Sequence, residues 1–399
     1  MTKRKQLTVG LFGFGTVGKA LYDLIQTTRP EGVAIKRICV RNLDKERGVK
    51  ADFTDSPDEI FNDDEINLIV ELIDDADASF EIIRRALQKG LTVVSGNKKM
   101  LAAHLPELIK MQAETGGTLL YDASACGSIP VIRNLEEYYD NDLLISVKGI
   151  LNGSSNYILT KIFKEGMGYG EALRLAQEAG FAESDPSLDV DGWDSLSKLV
   201  IITVHAFGTY VDPDRVFTFG ISALNDADIQ FAREKNRRIK LVGHVEKLAD
   251  GRLCMCVIPQ LLSREKYIYS VDDEFNGVVI KGLCYDKQFM FGRGAGGFPT
   301  GSAILSDITA SQYGYAYEYK KLHSHADDLP EYTDDVHFRI YYRYNRPQDL
   351  NLIDFDSVSE KYTSADFNYV VGITSLRALQ SAAPELRKRG VFLAAYPRD

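Results

Sequence analysis

Three observations predict an α/β chain with more than one domain. Strand-like and helix-like segments alternate through the first third, a glycine-punctuated turn joins the first such pair, and beyond about residue 140 the rhythm changes. Regular alternation is the signature of a doubly wound parallel sheet with helices on both faces. The later change predicts an α+β domain with an open antiparallel sheet, then a small α+β tail. The expected boundaries are 1–140 for the first domain, completed by a return of the chain at about 300–320, then 141–299 for the second and 330–399 for the tail.

In the first domain "LTVGLF" alternates into "GFGTVG", and "TVGKALYDLIQ" has helical periodicity. A strand, a tight turn and a helix N-terminus together aim backbone N–H groups at a pyrophosphate. Gly13 permits the turn, Gly15 admits the phosphate to the backbone, and Gly18 lets helix and strand pack closely; Phe14, Thr16 and Val17 complete the loop. A lone GxGxxG is weak evidence, but between a strand and a helix it predicts a Rossmann-type dinucleotide site rather than some other glycine turn. The second strand, "GVAIKRICV", ends at Val40 and Arg41 follows, with Asn42 and Lys45 nearby. A carboxylate there would repel a 2′-phosphate, whereas a guanidinium attracts one, so NADP(H) is expected in preference to NAD(H). The plain alternative for Arg41 is a solvated loop residue. "INLIVELI", "ASFEIIRRALQKG", "LTVVSG", the helix after "GNKKM" and "TLLYDAS" continue the alternation. "SGNKKM" sets Asn97 and Lys98 at the carboxyl end of a strand, the edge at which such sheets bind ligands.

The second domain opens with "LLISVKGILNGSSNYILTKIF", a strand and a helix joined by small polar residues. Ser154 is expected to cap that helix, and the loop Asn152-Gly153-Ser154 to contact a ligand. "AESDPSLDVDGWDSLSKLVIITVHAFG" follows, with Asp194 and Lys198 one turn apart on one helical face. As an exposed pair they would be worth tenths of a kcal/mol. Nearly every residue after Lys198 is apolar, however, and an ammonium near a core is costly unless it has partners or lines a wet cavity. Glu183, Asp189, Asp191 and Asp194 are too many acids for one lysine, a surplus that suits a ligand bringing its own ammonium group. Residues 240–291 alternate like antiparallel strands that can also pair two subunits. "GRGAGGFPTGSAILSD" then returns to the cofactor domain, bringing Gly294 and Gly296 within reach of a nicotinamide.

A net charge of −10 and a pI near 5.3 argue against a surface that tracks nucleic-acid phosphates. No apolar run is long enough for a membrane span or a signal peptide. Five cysteines without a CxxC spacing suit reduced thiols in the cytoplasm, and Cys254-x-Cys256 reads as strand rather than metal site. His323 and His325 in "LHSHADD" read as a polar loop.

"GFGTVG", "GNK", "ILNGSSNYI", "AESDPSLDVDGWDSLSKL" and "GRGAGGFPTGSAILSD", in this order and spacing, resemble the homoserine dehydrogenases from about residue 5 to about residue 315. The resemblance implies NAD(P)-dependent interconversion of homoserine and aspartate 4-semialdehyde, a step toward threonine, methionine and isoleucine, by a cytoplasmic homodimer or higher homo-oligomer. It implies that Lys98 and Lys198 are the catalytic lysines and that Glu183 and Asp194 hold the substrate, with Asp189 nearby. It also implies a monovalent cation, Na⁺ or K⁺, held by Asp122 and by the backbone at Ala125, Gly127 and Ile129. Three positions depart from the family pattern: Asp122 stands for a usual Glu, Asp74 and Asp75 for glycines, and Ser154 for a commoner Thr. Some family members carry a regulatory ACT domain where this tail lies; the tail lacks the glycine-containing effector loop of such domains, which weighs against threonine inhibition. Two other functions stay open on the residues: a dehydrogenase of another amino-acid semialdehyde, and a catalytically inactive NADP-binding regulator.

Overall fold

The computed structural model describes residues 4–141, 143–324, 329–364 and 367–398, so His325 lies outside the described residues. The chain forms two compact units: Met1–Asp140 with Arg293–Ser324, and Asn141–Gly292 with His325–Asp399.

The first unit is built on a parallel sheet of six strands: β1 (Leu7–Phe12), β2 (Val33–Cys39), β3 (Phe53–Thr54), β4 (Leu68–Glu71), β5 (Thr92–Ser95) and β6 (Thr118–Leu120), in the order β3-β2-β1-β4-β5-β6. Val9, Leu11, Leu68, Val70, Val93 and Val94 are buried, as expected where helices cover both faces. Strand order reverses between β1 and β4, which places the ligand-binding crevice at the carboxyl ends of those strands. The loops opening there are Gly13–Gly15 after β1, Leu72–Asp75 after β4 and Gly96–Asn97 after β5. Helix Gly297–Ser311 packs on helix Thr16–Thr28, so the returning chain joins this unit.

The second unit carries a mixed sheet: β7 (Leu144–Ile150), β8 (Phe217–Thr218), β9 (Arg238–Lys247), β10 (Leu253–Leu262), β11 (Phe275–Gly282), β12 (Asp286–Arg293), β13 (His337–Tyr344), β14 (Ser357–Thr363), β15 (Asn368–Ser375) and β16 (Phe392–Ala395). Its order is β12-β11-β7-β9-β10-β16-β13-β15-β14, with β8 pairing β10. The alternating segments between residues 240 and 291 become the antiparallel β9 and β10 and the strands β11 and β12. Cys254 and Cys256 lie in β10 as buried free thiols.

The tail extends this sheet. Its elements run β13, 3₁₀ turn Pro347–Leu352, β14, β15, helix Leu376–Lys388, β16, and its strands lie in the order fourth-first-third-second. That is the split β-α-β-β-α-β arrangement with its first helix shortened to a 3₁₀ turn. Helix Leu376–Lys388 buries Leu379 and Leu386 among Ile258, Tyr342 and Leu393. The sequence pattern misses β14, because "SVSEKYT" is a polar edge strand held by backbone pairing with β15.

Candidate active site

The glycine turn is made by backbone. Gly13 adopts φ +95°, and a Cβ there would lie 2.4 Å from the carbonyl oxygen of Leu72; one on Gly18 would lie 2.3 Å from that of Gly13. Gly15 caps helix Thr16–Thr28 without a side chain, no acidic residue stands in the first turn, and nothing lies within 4 Å of where its Cβ would be. This leaves the helix N-terminus open to an anion. Phe14 packs edge-on against Phe53 and Tyr22. Arg41, beyond the end of β2, is 89% exposed, and its guanidinium lies 4.0 Å from Asp75. Asp75 caps helix Ala76–Gln88 by accepting from the N–H of Ala78 at 3.0 Å. One of the two unusual acids therefore has a local structural task.

Lys98 opens helix Lys98–Thr115, and Asn97 caps it by accepting from Met100 at 3.0 Å. The loop is tied down by a residue that sequence reasoning missed. Glu71, fully buried at the end of β4, accepts from the N–H of Ile73 at 2.8 Å and from Ser95 Oγ at 2.6 Å. Ser95 Oγ in turn accepts from the Asn97 N–H at 3.1 Å, and Asn97 Nδ2 donates to the Ile73 carbonyl at 3.0 Å. Burial pushes the Glu71 carboxyl up, against the bonds to it that favour its charge. The sequence signal was available: an acid closing the apolar run "INLIVE" has no reason to be there unless it is satisfied.

In the second unit four predicted residues meet. Asn152 caps helix Gly153–Thr160 through its side-chain oxygen, which accepts from Ser155 N–H at 2.8 Å. Its Nδ2 donates to Asp189 at 2.7 Å and to Asp194 at 2.8 Å, which uses both amide hydrogens. Lys198, only 5% exposed, pairs with Asp194 at 2.8 Å and donates to the Leu151 carbonyl at 2.6 Å. The capping role expected of Ser154 falls to Asn152, because the extended residue just before Gly153 is the one whose side chain reaches the third N–H. Ser154 instead donates to the Phe181 carbonyl. Glu183 is exposed on the loop after Phe181, where its carbonyl accepts from Gln177 at 2.9 Å. The core of the cluster is thus two carboxylates and one ammonium.

The turn after β6 gathers carbonyls and a buried acid. Gly127 adopts φ +55°, and a Cβ there would meet the Gly294 carbonyl at 2.6 Å. Ser128 donates to the Arg293 carbonyl through N–H and hydroxyl, and the Ile129 carbonyl accepts from Val131 at 2.8 Å. Asp122 accepts from Arg133 N–H at 3.1 Å while its own N–H donates to Asp307 at 3.0 Å. Burial, then the neighbouring Asp307, pushes Asp122 up to about 7. Gly296 caps helix Gly297–Ser311 at φ +118°.

Comparison with known proteins decides the family. Residues 13–122 match the family model described as homoserine dehydrogenase, NAD binding domain, and residues 130–309 match the homoserine dehydrogenase model. Homoserine dehydrogenase of Bacillus subtilis is 34% identical over 317 residues, 77% of this chain and 73% of that protein. The chain belongs to the homoserine dehydrogenase family. It is an NAD(P)-binding oxidoreductase of the class that acts on a CH–OH group. The structure of the homoserine dehydrogenase from Thiobacillus denitrificans superposes with a TM-score of 0.83 at 28% identity, covering 98% of each chain. A hyperthermophilic archaeal homoserine dehydrogenase solved in complex with NADPH superposes with a TM-score of 0.66 at 26% identity, over 78% of this chain and 99% of that one. Among the described residues no helix is long and apolar enough to cross a membrane, and no three His, Cys, Asp or Glu side chains form a metal cluster.

Proposed function

We propose that this homoserine dehydrogenase reduces L-aspartate 4-semialdehyde to L-homoserine with NADPH preferred over NADH, and that Lys198 gives the proton. The observation that carries the reading is the buried cluster in which Asn152 holds Asp189 and Asp194 while Asp194 holds Lys198. Two carboxylates against one ammonium leave one negative charge in excess, and a bound amino acid supplies the matching ammonium. Glu183 joins Asp189 and Asp194 in gripping that group, and the loop Asn152-Gly153-Ser154 walls the substrate.

The bound nicotinamide supplies the hydride to the aldehyde carbon. As the C–H bond forms, the carbonyl oxygen becomes an alkoxide, and Lys198 Nζ donates a proton to it, directly or through one water. Two of its three N–H groups are directed by Asp194 and Leu151, which aims the remaining one. Lys98 polarises the oxygen or binds the substrate carboxylate. The Gly13–Gly18 loop would hold the cofactor's phosphates, Gly294 and Gly296 would border its nicotinamide, and Arg41 would take the 2′-phosphate.

For the cation, the donors suit a hard monovalent ion: Asp122 and the carbonyls at Ala125, Gly127 and Ile129, with Arg133 giving its guanidinium to Asp307 and its backbone N–H to Asp122. Such an ion would neutralise the surplus acid and steady the turn against Arg293 and Gly294. We also assign the chain to a homo-oligomer, because β12 ends its sheet and exposes Phe289 and Phe291, and to the cytoplasm, where free cysteines stay reduced. Following NADPH absorbance with aspartate semialdehyde, with each cofactor and with and without Na⁺ or K⁺, tests the reading. NADPH binding without turnover would leave only the inactive regulator, and turnover of a different semialdehyde alone would leave the other dehydrogenase.

A further inference from the structure

The sheet of the second unit has a face that the Lys198 cluster does not use. A Cβ on Gly243 of β9 would point at Leu151 and Leu199, the latter on the Lys198 helix. The alternate residues His244 and Glu246 therefore point to the opposite face. There β7, β9 and β11 floor a cavity of about 90 Å³, walled by Leu262, by Glu265–Ile268 and by Pro397 and Arg398. Space of that size takes several heavy atoms rather than a single water.

The charge of this cavity opposes that of the chain. Lys148, Lys266, Lys281, Lys287 and Arg398 line it against only two carboxylates, Glu246 and Glu265, in a protein of net charge −10. His244, 3% exposed, is held neutral by burial and by nearby Lys148 and Arg398, so it adds no charge. Among the residues that line it, two buried side-chain atoms have no hydrogen-bond partner among the described residues: Arg398 Nη1, a donor, and Glu246 Oε2, an acceptor. His244 Nε2 lies 3.6 Å from that oxygen, beyond hydrogen-bond reach. A buried guanidinium donor without an acceptor is unfavourable, as is a buried carboxylate oxygen without a donor. A merely solvated patch of lysines would show neither.

We propose that this cavity is a second ligand site for a small polyanion, a phosphate monoester or a polycarboxylate. An acid group of the ligand lies on Arg398 and Lys281, and a hydroxyl of the ligand donates to Glu246. The site is independent of the reaction assigned to the Lys198 cluster, on the other face of the sheet.

Titration calorimetry on the full chain saturated with NADPH tests it, since the cofactor then blocks its own phosphate positions. The probes are inorganic phosphate, citrate, and acetate at matched ionic strength. One of the two polyanions should bind saturably at one per chain, and which one does so separates the two sources; acetate should not bind. Lys281→Gln or Arg398→Gln should weaken that binding about tenfold or more, with NADPH-dependent turnover unchanged in either variant. No saturable binding of phosphate or citrate up to about 10 mM, or equal affinity in both variants and the native chain, overturns the proposal.

Discussion

The two units prepare for ligands in opposite ways. The first offers backbone: a glycine turn at φ +95°, a helix N-terminus capped by Gly15, and loops that Glu71 ties together. The second offers side chains: an amide, two carboxylates and an ammonium, all linked by hydrogen bonds and three of them, Asn152, Asp194 and Lys198, almost wholly buried. A backbone site survives most substitutions except those that add a Cβ. A buried side-chain cluster fails member by member, because each loss leaves an unpaired partner.

The largest test of that contrast is Lys198→Ala, which should lower kcat about 10³-fold while NADPH binding by fluorescence stays within about twofold. Near-normal turnover would remove Lys198 from the chemistry. Asn152→Leu comes next. It strips the half-buried Asp189 and the buried Asp194 of a shared donor, and kcat/KM should drop about 100-fold, mostly through KM. A purely structural role for Asn152 would instead show as a lower Tm with KM intact.

Glu71→Leu probes whether the backbone site has a side-chain dependence of its own. Its KM for NADPH should rise about tenfold, and Glu71→Gln, which keeps an acceptor for Ile73, should restore most of it. An unchanged KM in the Leu variant would deny Glu71 any part in positioning the loops. Smaller again, Arg41→Ala should cut the preference for NADPH over NADH about tenfold, read as the ratio of kcat/KM values. The nearby Asp75 sets a ceiling on what Arg41 contributes.

The smallest effect distinguishes a second buried lysine from Lys198. Lys240 bonds Asn156 and the Val271 carbonyl, and burial lowers it to about 8 from an ordinary value of 10.5. Its charged form is disfavoured in the fold, so the penalty is complete below pH 8 and fades as pH rises toward 10.5. The native chain should therefore gain Tm relative to Lys240→Met between those limits. A pH-independent difference would mean that Lys240 is not perturbed.

Much of this is legible in the sequence. The spacing of Gly13, Gly15 and Gly18 is a local constraint on a strand, a turn and a helix, so it reads directly from the chain. Asp194 and Lys198 are likewise one helical turn apart, and the apolar run after them signals burial. Glu71 escaped notice because its partners, Ile73 and Ser95, mean nothing until β4 and β5 lie side by side. The cap at Asn152 rather than Ser154 turned on which residue is extended, and that depends on where β7 ends.

By itself, then, the sequence determined the parallel and antiparallel parts, the glycine turn and the lysine with its nearest acid. These follow from period, steric freedom and helical pitch, which act over a few residues. Only tertiary structure decided that Asn152 and Asp189 join that pair, that the tail's strands continue the sheet from β10, and that five cations line one cavity. Those outcomes depend on segments far apart in the chain meeting in a core, where hydrogen bonds must be satisfied and charge must find its counterpart.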